Sequence, residues 1–261
     1  MNPRPIAPVV LVTGAARRIG RAIALELGAH GWDVAVHYRG SAAEAEATAA
    51  QLRTLGVRAE TFAADLADET ACAALVPAVA ARLGRIDALV NNASVFEYDD
   101  VQSFRGATLA THLQANTAAP IVLTRALHAA LPEGANGCVV NLLDQKLANP
   151  NPDHLSYTLS KAALEAATTM LAMALAPRLR VCGVSPGLTL HSGPMNDAEF
   201  AAAYRMTPLQ RASGAEDIAR AVRFLLESPA ITGTTLLVDG GQHLARQARD
   251  VLFLAQQELA R

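Results

Sequence analysis

The feature that most constrains this chain is a regular alternation of short, unbroken apolar runs with longer alanine-rich amphipathic stretches. The runs fall at Val9 to Val12, Val34 to Val36, Ala88 to Val90, Val139 to Leu143, Val181 to Val184 and Leu236 to Val238. Runs so short, with Asn141 the single strongly polar residue inside them, read as strands covered on both faces, and the stretches between them supply the covering helices. The pattern predicts an α/β fold with a doubly wound parallel sheet of about seven strands. A chain of 261 residues is long enough for one large α/β domain or two smaller ones. No Pro/Ser-rich linker and no internal period divides it, so a single domain over 1–261 is expected. A ligand would lie beyond the carboxyl ends of the strands.

The first apolar run leads straight into T-G-A-A-R-R-I-G, Thr13 to Gly20, and then into the helical pattern R-A-I-A-L-E-L. This is strand, glycine turn, helix. Gly14 permits a tight turn and Gly20 close packing of helix on sheet, while the helix start offers free N–H groups and a positive dipole end to a pyrophosphate. A second pattern stands at Asp144, Tyr157 and Lys161. Tyrosine and lysine at i and i+4 share a helix face, so the ammonium can favour the ionised phenol and make it a usable proton donor.

The glycine turn resembles the T-G-x-x-x-G-x-G turn of short-chain dehydrogenases/reductases, with Arg18 where that family usually has its middle glycine. The resemblance runs the length of the chain: Asp65-Leu66 after the third strand, Asn91-Asn92-Ala93-Ser94 after the fourth, Asn116 in a long helix, Tyr157 with Lys161, Ser185-Pro186-Gly187, and the closing T-G-T-T-L-L-V-D-G-G. It implies a Rossmann-type fold. Most members carry serine where this chain has Asp144. Pteridine reductases and dihydromonapterin reductases share that aspartate thirteen residues before the tyrosine. They also share T-G-A-A-(basic)-R, an H-Y-R-like end to the second strand, here His37-Tyr38-Arg39, and N-N-A-S-x-F, here Asn91 to Phe96. The chain most resembles that branch.

The branch implies an NADPH-dependent reductase that delivers hydride to a C=N bond of a pteridine. By resemblance, Tyr157 donates or relays protons, Lys161 lowers its pKa and holds the nicotinamide ribose, Asn116 organises a water relay, and Asp144 supplies or positions the proton for a ring nitrogen. The cofactor would meet Gly14, Arg17, Arg18, Ile19, Gly20, Tyr38, Arg39, Ser41, Asp65, Leu66, Asn92, Ala93, Ser94, Pro186, Gly187 and Leu188, besides Tyr157 and Lys161. Arg17, Arg18 and Arg39, with no acid at the end of strand two, point to NADP(H) over NAD(H). The substrate would meet Ser94, Phe96, Asp144 and Tyr157, the Phe96 ring sandwiching it against the nicotinamide.

Simpler readings stand beside these. Asp144 could merely cap the segment after its strand, and an aromatic after a strand is usually core. A general carbonyl reductase of 3-oxoacyl type would want serine at Asp144, and a non-catalytic dinucleotide-binding protein would have no need of Tyr157, Lys161 and Asn116 together. The stretch from Leu188 to Pro208, broken by Gly193, Pro194 and Pro208 around a helical piece at Asp197 to Tyr204, is the substrate lid by resemblance and otherwise a loop without function. Ser41 is expected to cap the helix that follows it.

A net charge of −2 with scattered basic residues argues against nucleic acid as the partner. No apolar stretch reaches membrane-spanning length, so the protein is expected to be soluble and cytoplasmic. Cys72, Cys138 and Cys182 read as buried free thiols, and the seven histidines form no zinc pattern. The extension from about 244 to 261 reads as a helix, with Val251, Leu252, Leu254 and Ala255 on one side. It either frays or covers a neighbouring subunit, an apolar stripe with no obvious core partner favouring the second. Family resemblance implies a homotetramer.

Overall fold

The computed structural model describes residues 7–191 and 195–260; Gly193, Pro194 and Arg261 lie outside the described residues. Seven parallel strands form one sheet in the order β3-β2-β1-β4-β5-β6-β7. Their ranges are β1 Val9–Val12, β2 Asp33–Tyr38, β3 Ala59–Ala63, β4 Ala88–Asn91, β5 Gly137–Leu142, β6 Leu179–Pro186 and β7 Thr235–Val238. All six apolar runs fall on strands. The third strand, A-E-T-F-A, is an edge strand with Ala59 and Phe62 buried and Glu60 and Thr61 half-buried, which is why no apolar run marks it.

The unbroken apolar runs follow from burial on both faces. In β1, Val10 and Val12 point into a core shared with Ile23 and Leu27 of α1 (Arg18–Ala29), Leu52 of α2 (Ala42–Thr54) and Val222 of α8 (Ala215–Glu227). Val9 and Leu11 point the other way, toward Leu75 and Val79 of α3 (Glu69–Leu83) and Leu123 and Leu127 of α5 (Ala119–Ala130). Each fully buried Leu, Ile or Val contributes about 1.5–3 kcal/mol over its exposed state, so neither face tolerates a polar residue at these positions.

Strand order reverses between β1, which leads outward to β2 and β3, and β4, which leads the other way. At such a switch point the following loops diverge and leave a crevice at the carboxyl ends. The remaining elements frame it: α4 (Gly106–Leu113), the π-helical turn Gln114–Ala118, the 3-10 turn Gln145–Leu147, α6 (Leu155–Leu175), α7 (Asp197–Arg205) and α9 (Val251–Leu259).

Two expectations are corrected here. Ser41 stands at the N-cap of α2 but its side chain makes no capping hydrogen bond, its backbone (φ −98°, ψ 61°) differing from the extended cap geometry. The stripe on α9 does not lack a partner within the chain: Val251 and Ala255 pack with Met195, Ala202 and Ala203, so the extension covers the chain's own α7. The cysteines are buried free thiols, and among the described residues no helix is long and apolar enough to cross a membrane.

Candidate active site

A cleft of about 1010 Å³ opens over the carboxyl ends of the strands. Gly14, Arg17, Arg18, Ile19, Gly20, Tyr38, Arg39, Ser41, Asp65, Leu66, Asn92, Ala93, Ser94, Phe96, Asp144, Tyr157, Lys161, Pro186, Gly187 and Leu188 all line it. Of the residues expected to act in catalysis or to meet cofactor or substrate, Asn116 is the one not at the wall; it is buried behind it.

The glycine turn is held from three sides. Thr13 Oγ1 accepts from the N–H groups of Asn92 (2.9 Å) and Ala93 (3.0 Å), and Asn92 Nδ2 donates to Thr13 O at 2.8 Å, tying the β1 and β4 loops together. Gly14 N donates to His37 Nδ1 at 3.1 Å, and His37 Nε2 meets Ala64 O at 3.1 Å. That pairing requires the neutral imidazole with its proton on Nε2, and burial, the larger influence, pushes the His37 pKa down in agreement. Sequence reasoning missed His37 as a brace, because nothing in H-Y-R says which way its first side chain turns.

Backbone conformation explains two of the turn's residues. Arg18 has φ +54°, the left-handed region that favours glycine, which accounts for a glycine at this point in the resembling turns. A Cβ on Gly20 would stand 2.3 Å from Gly14 O and 2.5 Å from Asn92 Nδ2, so no side chain fits there. Arg18 reaches across to donate to His191 O at 2.9 Å, linking the turn to the start of the expected lid. Arg17 lies 3.7 Å from Glu44 in an exposed pair, worth little energetically, and Arg39 is exposed.

The opposite wall holds the titratable groups. Tyr157 Oη donates to Asp144 Oδ2 at 2.9 Å, while Asp144 Oδ1 accepts from Lys146 N at 2.8 Å. Asp144 therefore does both things its sequence context allowed: one oxygen caps the turn at Gln145–Leu147 and the other faces the phenol. Burial pushes the Asp144 pKa up, against the hydrogen bonds from Lys146 and Tyr157 and the charge of Lys161. Burial, then the charge of Asp144, pushes the Tyr157 phenol well above its usual value. Burial lowers Lys161 to about 8.

This corrects the expected lysine effect. Lys161 does share a helix face with Tyr157, but its Nζ donates to Leu142 O at 2.7 Å and stands 5.7 Å from the centre of the tyrosine ring. The phenol's partner is Asp144, and together they favour a neutral, proton-bearing hydroxyl. Asn116 anchors the loop after β4 from behind the wall. Its Oδ1 accepts from Val95 N (2.8 Å) and Ser94 Oγ (3.1 Å), and its Nδ2 donates to Val95 O (2.9 Å) and Ser160 Oγ (3.0 Å). An amide has two donors and two acceptor sites. The side chain thus clamps the β4 loop to α6.

Phe96 is no core aromatic. It is 47% exposed in the cleft, stacked on His154 (4.4 Å between centroids, 20° between planes) and edge-on to Tyr157 (4.6 Å, 87°). The helical piece of the expected lid is α7, and Leu188 with Thr189 and Leu190 lines the cleft from its near end.

A model described as Enoyl-(Acyl carrier protein) reductase matches residues 14–243. The chain belongs to the short-chain dehydrogenase/reductase family. It is thus a short-chain oxidoreductase. It is 36% identical to Pteridine reductase 1 of Leishmania tarentolae, over 94% of this chain and 100% of that one. FolM Alternative dihydrofolate reductase 1 from Brucella canis, a crystal structure complexed with NADP, superposes with a TM-score of 0.89 at 42% identity, covering 93% of this chain and 96% of that one. The 3-oxoacyl-[acyl-carrier-protein] reductase FabG of Staphylococcus aureus (strain Mu50 / ATCC 700699) is 32% identical over 90% of this chain and 97% of its own. As a short-chain reductase the chain combines the family's glycine turn and Tyr157–Lys161 pair with an aspartate on the phenol.

Proposed function

We propose that this short-chain reductase uses NADPH to reduce a C=N bond of a dihydropterin. The observation that carries the reading is the half-buried Asp144 carboxyl, 2.9 Å from the Tyr157 hydroxyl. A carbonyl oxygen calls for a neutral hydrogen-bond donor, which serine supplies. A ring nitrogen becoming an amine must gain a proton, and a carboxyl with a raised pKa can supply it directly or through water. The likeness to Pteridine reductase 1 and to FolM supports the same substrate class.

The residues fit the cofactor. NADPH, when bound, supplies the hydride. The braced turn at Gly14 and the start of α1 present backbone N–H groups to a diphosphate, the missing side chain of Gly20 letting the helix start pack directly against Gly14 O and Asn92. Arg18 and Arg39, at the end of β2 where no carboxylate stands, suit a ribose phosphate; Arg17 can join them by leaving Glu44. Asp65 and Leu66 border the adenine end, and Pro186 and Gly187 the nicotinamide end. Gly187 packs so tightly on Asp239 that an added Cβ would lie 2.6 Å from the Asp239 Cβ.

Tyr157 and Asp144 then hold the proton at the reacting end. Burial and the Asp144 carboxyl that accepts its hydrogen bond keep Tyr157 as the neutral phenol, and burial raises the Asp144 pKa, so that the carboxyl can take up a proton and pass it on beside the phenol. Lys161, lowered to about 8, keeps most of its charge near neutrality and stands 5.7 Å from the centre of the Tyr157 ring. Phe96 offers a flat wall for a fused ring.

A second reading, reduction of a 3-oxoacyl carbonyl, is favoured by the likeness to FabG. NADPH oxidation followed with a panel of dihydropterins and small ketones separates the two: dihydropterin turnover is expected to dominate, and ketone turnover alone would replace the proposal with its alternative. The same reading takes the protein as a cytoplasmic homotetramer, which light scattering tests.

A further inference from the structure

The segment that follows β7 is wired to the substrate wall. Arg249 grips Asp153 with two parallel bonds, Nε to Oδ2 and Nη2 to Oδ1, both 2.9 Å, and Asp250 N donates to Asp153 Oδ2 at 2.7 Å. The Asp153 side chain is 2% exposed. Buried Lys146, two residues past Asp144, donates to Asp153 O and lies 3.6 Å from the Asp250 carboxylate. The chain is thus pinned at Asp153 from both sides.

The next residue is His154, held in the left-handed region at φ +54°. Its ring is the one stacked behind Phe96, and its Nδ1 meets Glu97 O at 3.3 Å. Tyr98 packs edge-on to His154 and to Phe253 of α9, at 5.2 and 5.6 Å between centroids. Phe96 itself is half exposed, with the His154 and Tyr157 rings as its aromatic neighbours among the described residues. A non-glycine residue keeps a left-handed backbone only where its surroundings over-determine it. Here the surroundings are the clasp on Asp153.

We propose that the Arg249–Asp153 clasp is a specificity element: it fixes His154 behind Phe96, so that Phe96 presents a rigid flat wall that selects fused heteroaromatic substrates over small ketones. Arg249, Asp153 and His154 are positioning residues and act through Phe96. The inference rests on the pteridine reading above, and its test keeps the two apart.

The test uses the full chain with NADP bound, diaminopteridine as the binding probe, and dihydropterin and a small ketone as substrates. Arg249→Gln removes the bidentate grip. His154→Asn keeps a residue that tolerates the left-handed region but deletes the ring, whereas His154→Phe keeps the ring. The first two are expected to weaken diaminopteridine binding and raise the dihydropterin KM about 3- to 10-fold, the scale of one aromatic contact. The KM for NADPH and all ketone kinetics should stay unchanged, and His154→Phe should restore binding. In a Phe96→Ala background Arg249→Gln should add no further loss, because both act on one wall. Penalties that add, or unchanged diaminopteridine binding in both His154→Asn and Arg249→Gln, would overturn the inference. Should Arg249→Gln not fold, the His154 pair decides alone. A wild type that binds no diaminopteridine overturns the pteridine reading, and this inference with it.

Discussion

Under β1, β2 and β3 the cleft is made largely of backbone: the glycine turn, the start of α1 and the loop after β4, locked by Thr13, His37 and Asn92. Beyond β4, β5 and β6 it is made of side chains, Asp144, Tyr157, Lys161 and Phe96, drawn from separate segments and braced through Tyr98 and Lys146 by Phe253 and the start of α9. The contrast follows from what each half must recognise. A diphosphate is met by N–H groups in fixed directions, which any sequence supplies once the turn is formed. Proton transfer needs particular side chains with tuned acidity, and tuning needs burial beside chosen neighbours.

The comparison sharpens most at Tyr157. Tyr157→Phe keeps the ring packed on Phe96 but deletes the shared proton, so turnover should drop roughly 10²–10⁴-fold while NADPH affinity, set by the other half, holds. Stopped-flow and cofactor titration on one sample check both. A loss of cofactor affinity as large as the loss of rate would break the division into halves.

On the cofactor side, Arg39→Ala combined with Arg18→Ala should cut the preference for NADPH over NADH about tenfold to a hundredfold, the worth of a charge-assisted contact of about 1.5–3 kcal/mol. The ratio of kcat/KM for the two cofactors measures it. Gly20→Ala should destabilise the fold by about 1–3 kcal/mol through overpacking against Gly14 O and Asn92, read by urea denaturation. A stable variant with normal NADPH affinity would show that the turn yields more than its packing implies.

How much of this could be read from the sequence also divides along the cleft. Six strands showed as apolar runs because both faces of the sheet are covered, and the glycine turn showed because its chemistry is local in the chain. Arg18 in place of a glycine looked like a departure, yet its φ of +54° keeps the turn's shape. The Asp144–Tyr157 pair was legible through its spacing and its resemblance. Its electrostatics were not, because burial outweighs the nearby lysine and only the fold reveals that Lys161 is spent on Leu142 O. Asp153 and Arg249 lie 96 positions apart with nothing local to join them, and α9 looked partnerless because α7, its cover, is short and presents mainly alanines, which mark no apolar stripe in the sequence.

The smallest effect expected is at Ser41. With no capping bond from its side chain, Ser41→Ala should change stability by less than about 0.5 kcal/mol. Asp68→Ala removes an acceptor of two bonds at the start of α3 and should cost about 1 kcal/mol. Equal thermal shifts for the two would mean that Ser41 caps in solution.

The account turns on Asp144 as the acid for a ring nitrogen, and a pH profile of kcat/KM tests that most directly, on a dihydropterin and on a small ketone, for wild type and Asp144→Ser. The protonated carboxyl is the working form and burial raises its pKa. Dihydropterin reduction should therefore be full below that pKa and fall as pH rises through it, and Asp144→Ser should lose most of the activity together with that pH dependence while ketone reduction survives. A dihydropterin profile in Asp144→Ser with the height and shape of the wild type would contradict the account.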